Sequence, residues 1–169
     1  MRYILPSLLC LILICCGPSE DEKKTARDLT NEIVEMVNAL QGSIQRIDDA
    51  SSELSSAIVH TESFRMKYQK DSTVLAKTAI HLRSEKDRLM SLRNDVGEWV
   101  KKYKPPDLNQ IGFKEAVSTL KRDREELVLV GDKIQKGMDS VQAAMDEYNS
   151  TVFVMAGRKK MKKEAGAKK

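Results

Sequence analysis

Apolar residues recur at helical spacing from Thr25 to Tyr103, a stretch with no proline and only Gly42 and Gly97 to loosen it. Leu29, Ile33, Met36, Leu40, Ile44, Ile47 and Ser51 are separated by steps of three or four. Their mean step, about 3.67 residues, belongs to an eleven-residue repeat and predicts a nearly straight or slightly right-handed coil. Leu54 and Ile58 extend the stripe, which then fades between His60 and Asp71. A second register begins with Leu75, Leu82, Leu89, Val96 and Tyr103, each seven residues from the last. The shift near Gln69–Thr73 fits either a turn between antiparallel helices, with Asp71 or Ser72 as N-cap, or a phase change inside one helix. With neither Gly nor Pro at the shift, one long, gently kinked helix over 26–103 is preferred to two.

Lys104-Pro105-Pro106-Asp107 is a sharper signal. Two prolines remove two backbone donors and bar the preceding residues from helical angles. A connector over 104–113 follows, with Leu108, Ile111 and Phe113 expected to pack on neighbouring helices. Beyond it, Val117, Leu120, Arg124, Leu127, Gly131, Ile134, Met138, Val141, Met145, Tyr148 and Val152 keep steps of three and four. This predicts a heptad helix over 114–156 that folds back along the preceding one. The expected fold is all-α, with long amphipathic helices forming an antiparallel coiled coil or a two-to-three-helix bundle. Arg124 and Gly131 interrupt the stripe, which either weakens this seam or leaves room for a partner, a helical protein or a second copy in a homo-oligomer.

Composition narrows the picture in the same direction. Hydrophobic residues make up 41% of the chain and aromatics only 5%, with 8 Gly and 4 Pro. Such a chain is neither a disordered tail nor a multi-span membrane protein, and it lacks the turn and aromatic content of a sandwich or barrel.

The N-terminus stands apart from the body. After Arg2, residues Tyr3–Cys16 are almost wholly apolar. As a helix they would reach about 21 Å at 1.5 Å per residue, short of a hydrocarbon core of roughly 30 Å. A basic start, a short apolar run and a small-residue end describe an export signal. Leu13-Ile14-Cys15-Cys16 before Gly17-Pro18-Ser19 resembles the lipobox of bacterial lipoproteins. That resemblance implies a signal peptide over 1–15 and lipidation of Cys16, as a diacylglyceryl cysteine carrying fatty acids such as palmitate. It also implies a polar tether over 16–25, and a cell-envelope location facing periplasm or exterior. Cys10, Cys15 and Cys16 are the chain's three cysteines. Cleavage before Cys16 would leave the body no disulfide and no thiolate metal site.

Charge adds a second pole. The formal net charge is +4, yet residues 157–169 alone carry seven basic residues and one acidic residue. With Arg2 in the leader, Tyr3–Ala156 sums to −3. The body is mildly acidic and ends in a basic tail, expected to be disordered. Arg158, Lys159, Lys160, Lys162, Lys163, Lys168 and Lys169 are candidate contacts to an anionic surface, either cell-wall polymer or phospholipid. Nucleic acid is not expected as a partner of an exported chain. The layout of N-terminal lipid, long helices and terminal lysine is similar to that of the murein lipoproteins. In that family the last lysine is joined to peptidoglycan, and Lys169 is the matching residue here.

Catalytic constellations are not legible. His60 and His81 stand alone in sequence, no phosphate loop or dinucleotide fingerprint occurs, and adjacent acids such as Asp48-Asp49 point apart on a helix. The expectation is therefore no enzyme, no catalytic residue, no metal site and no cofactor. Two functions remain. One is a membrane-anchored envelope lipoprotein with a scaffold role. The other is a surface-exposed helical lipoprotein that binds a host or partner protein.

Overall fold

A computed structural model describes residues 19–107 and 112–166, with backbone alone at Ala156 and at 158–166. The expected signal peptide, Cys16, Leu108, Ile111, Lys168 and Lys169 lie outside the described residues, as do the side chains of Arg158, Lys159, Lys160, Lys162 and Lys163. Among the described residues there are three long helices and no strand. They are α1 (Glu20–Lys67), α2 (Ser72–Lys102) and α3 (Phe113–Gly166), with a 3-10 turn at Gln69–Asp71 between the first two. The protein is a helical bundle.

Helix α1 starts inside the segment expected to be a tether. The Glu22 backbone N–H donates to Ser19 Oγ at 3.1 Å, and the Ser19 N–H donates to Glu22 Oε2 at 3.1 Å. This reciprocal capping box satisfies two otherwise orphaned donors. Glu20, Asp21 and Glu22 occupy the first turn, where carboxylates complement the helix dipole. The acidic cluster therefore starts a helix, and the tether expected over 16–25 is helical from Glu20 onward.

The single kinked helix preferred over 26–103 is also corrected: the chain reverses there. Helix α1 ends at Lys67, Tyr68 leaves helical angles (φ −121, ψ 69), and α2 begins at Ser72 after Asp71 at the N-cap position. No described residue adopts a positive φ. A reversal built without left-handed backbone needs no glycine, so the missing Gly and Pro carried no information. Packing supplies the stability: folding α2 back buries Leu75, Leu82, Leu89 and Val96.

The basic segment expected to be disordered continues α3 as far as Gly166, ten residues past the boundary set at 156. Lys, Arg, Met and Ala are good helix formers, and cations suit the C-terminal end of the dipole.

The chain forms two compact units. One combines the chain up to Met36 with Lys104–Leu127; the other combines Val37–Tyr103 with the chain from Val128. In the first, Ala26, Ile33, Ala116, Leu120 and Leu127 are buried, and Arg124 Nε donates to Glu32 Oε1 at 2.6 Å. In the second, Arg93 meets Asp48 and Arg83 meets Glu62, so α1 and α2 run in opposite directions. Ser140 meets Glu85 and Glu147 meets His81, so α3 also opposes α2 and follows α1. The second unit is an up-down-up three-helix bundle.

Burial follows a period of seven in every helix. On α1 the buried series is Ala26, Ile33, Leu40, Ile47, Leu54 and Thr61; on α2 it is Leu75, Leu82, Leu89 and Val96. On α3 it is Leu120, Leu127, Ile134 and Val141, continued by half-buried Tyr148 and buried Met155. The eleven-residue period expected for α1 is overturned. Leu29, Met36 and Ile44 are only half-buried, while Ala26 and Thr61 hold core positions that an apolar count passed over. Thr61 is tolerated there because its hydroxyl donates to the Ala57 carbonyl at 2.7 Å.

Two glycines of α3 differ in what surrounds them. A Cβ at Gly137 would lie 2.9 Å from Leu92 Cδ2, whereas one at Gly131 would meet nothing within 4 Å. Gly131→Ala is therefore expected to stabilise the protein by about 0.5–1 kcal/mol, since only helix propensity changes. A rise in the urea midpoint at constant slope would check it.

Candidate functional site

Helix α2 places an acid in the bundle interior. Glu85 is 4% exposed. Ser140 Oγ donates to its Oε2 at 2.7 Å, Arg88 Nη1 donates to its Oε1 at 2.8 Å, and His81 Nε2 stands 3.8 Å from Oε1. Gly137 leaves this side of α3 without a side chain, and a groove of about 260 Å³ runs between Arg88, Leu92 and Ser140. Each carboxylate oxygen has a protein donor, which offsets the cost of burying the group. Its chemistry is positional: it ties α2 to α3 at one register. Ser140→Ala removes one donor from a buried carboxylate and is expected to cost about 1–3 kcal/mol. Glu85→Met removes the charge together with its need for partners and should cost less. Equilibrium urea unfolding of both variants would test that order.

The histidines read as solitary in sequence both find partners on α3. His60 Nδ1 hydrogen-bonds the Tyr148 hydroxyl, and its ring lies 4.3 Å from that of Phe64, which meets Tyr68 in turn at 5.5 Å. His81 Nδ1 lies 2.9 Å from Glu147 Oε2. Burial pushes the Tyr148 phenol above its usual range, so it is neutral at physiological pH. Ser52, Glu53, Ser56 and Met145 line an open groove of about 440 Å³ beside His60 and Tyr148. At the other end of α2, the rings of Trp99 and Tyr103 stack at 5.1 Å. Among the described residues no three His, Cys, Asp or Glu side chains converge as a metal site, and no helix is long and apolar enough to cross a membrane.

What the sequence reading passed over is a group of exposed apolar side chains. Among the described residues, six of the nine exposed large hydrophobics, Val59, Met66, Val74, Ile80, Phe153 and Val154, belong to the stretches nearest the α1–α2 turn and to the matching part of α3. Phe153 is 79% exposed and Met66 77%. The available signal was their position off the heptad series and, for Phe153 and Val154, the basic run that begins at Arg158. Compared with known protein families, with characterised proteins and with solved structures, the chain matches none.

Proposed function

We propose that the chain is a membrane-anchored helical lipoprotein of the bacterial cell envelope, with a structural or scaffold role. In this reading Cys16 carries the lipid, the helices span a gap, and the basic C-terminal segment contacts an anionic layer of cell wall or phospholipid. The observation that carries it is the chain's polarity: an apolar leader ending in Leu13-Ile14-Cys15-Cys16 at one terminus and a +6 segment over 158–169 at the other. The helical bundle between them supports the reading because Glu85, its buried carboxylate, holds α2 to α3 through Ser140, while Thr61 and Thr78 bond carbonyls of their own helices.

Deletion of Arg158–Lys169 tests the electrostatic half. Binding to purified cell wall or anionic vesicles is expected to fall at low salt and to lose its salt dependence. Unchanged binding would overturn the role of the tail. The alternative, a surface-displayed lipoprotein that binds a host or partner protein, is separated by protease treatment of intact cells. A body protected until lysis fits the envelope spacer; digestion without lysis fits surface display.

A further inference from the structure

Among the described residues, the second unit gathers six of its eight exposed large hydrophobic residues at one end, Val128 and Leu129 excepted, and carries positive charge there. His60 meets Tyr148, and α1 and α3 run in the same direction there, so Met155 lies level with Lys67, the last residue of α1. Helix α3 continues for eleven residues past that level, from Ala156 to Gly166, an overhang of about 16 Å at 1.5 Å per residue. No charged residue occurs between Tyr148 and Gly157; the next twelve residues then hold seven basic and one acidic. Across the bundle, residues 59–80 add Arg65, Lys67, Lys70 and Lys77 against Glu62 and Asp71. The rest of the chain is net acidic.

We infer that this end docks on the surface of an anionic phospholipid bilayer, with Phe153 and Val154 entering the interface and the basic run beyond them held by headgroup phosphates. The inference rests on the proposal that the basic terminus meets an anionic layer, and it names that layer as lipid. A hydrated cell-wall polymer would attract the cations but would offer nothing to a 79% exposed phenylalanine. A bilayer takes both, because exposed aromatic and aliphatic groups beside lysine and arginine match the boundary between acyl chains and anionic headgroups.

The test uses the full-length lipidated protein, anchored in phosphatidylcholine vesicles and mixed with protein-free acceptor vesicles. Phe153→Trp serves as reporter, with the native chain as the baseline for Trp99. Acceptors containing phosphatidylglycerol should be captured, and brominated acyl chains in them should quench the new tryptophan and shift its emission to shorter wavelength. Pure phosphatidylcholine acceptors should do neither. Phe153→Ser with Val154→Ser should weaken capture about tenfold while leaving helix content unchanged, since both side chains are exposed. Capture of anionic vesicles without quenching would overturn the inference and leave the electrostatic reading standing. Capture of purified cell wall but not of vesicles would do the same. Capture of neither would overturn both. A change in sedimentation of the serine variant, with vesicle capture intact, would reassign the apolar end to self-association and overturn the inference.

Discussion

Ile47→Ala is expected to destabilise the protein by about 2–5 kcal/mol, through lost apolar transfer and the cavity left behind. A chain of this size loses roughly 2–4 °C of melting temperature per kcal/mol. Ile47 is fully buried. Ile44, three residues earlier on the same helix, is half-buried, and Ile44→Ala should cost less than half as much. The pair discriminates between two registers. Under an eleven-residue stripe both isoleucines face the core and both truncations are severe; under the heptad series only Ile47 does. Thermal and urea unfolding of the two variants settle the matter, and equal losses would contradict the seven-residue core.

Loss of lipidation is the largest functional effect expected. Cys16→Ala should abolish incorporation of a fatty-acid analogue and release the protein from the membrane fraction, because two or more acyl chains anchor stably where one gives only marginal, reversible binding. Equal labelling of native protein and Cys16→Ala would remove the lipobox assignment and the envelope location with it. Equal membrane retention without label would place the anchor in the apolar leader itself. The variant replaces no residue of the described core, which runs from Ala26 to Met155, and its helix content should match that of the native chain.

Some of this was legible residue by residue. Leu75, Leu82, Leu89 and Val96, spaced by seven, and Leu120, Leu127, Ile134 and Val141, on a stripe of three-and-four steps, are all buried on α2 and α3. Lys104-Pro105-Pro106-Asp107 marked the break between those helices, since proline acts through local geometry that no packing can override. The capping box at Ser19 and Glu22 was equally local, and was legible had the acidic cluster been read as a helix start. The core face of α1 was legible in part. Ile33, Leu40, Ile47, Ser51 and Leu54 of the stripe are buried, but Ala26 and Thr61 extend the core at its two ends, and Leu29, Met36 and Ile44 are only half-buried. The turn at Tyr68–Asp71 was not legible, because it uses ordinary backbone angles available to any residue.

The candidate surface divides in the same way. The positive charge of residues 158–169 is a property of composition, visible in one dimension. That Phe153 and Val154 are exposed, while Met155 beside them is buried, depends on which face of α3 the other two helices cover. Glu85 shows the same dependence: a glutamate in a charged stretch reads as solvent-facing until Ser140, fifty-five residues away, supplies its donor.

By itself, then, the sequence determined that this protein is made of long amphipathic helices, that they break at Pro105-Pro106, and that its basic charge is gathered at one terminus. These follow from periodicity, backbone sterics and composition, which act over a few residues at a time. Tertiary structure alone decided the reversal at Tyr68, the seven-residue period of the α1 core, the burial of Glu85 and the exposure of Phe153. The physical reason is common to all four: each is set by which helix covers which stripe. That choice is made by the summed burial of residues far apart in the chain, not by the preference of any one of them.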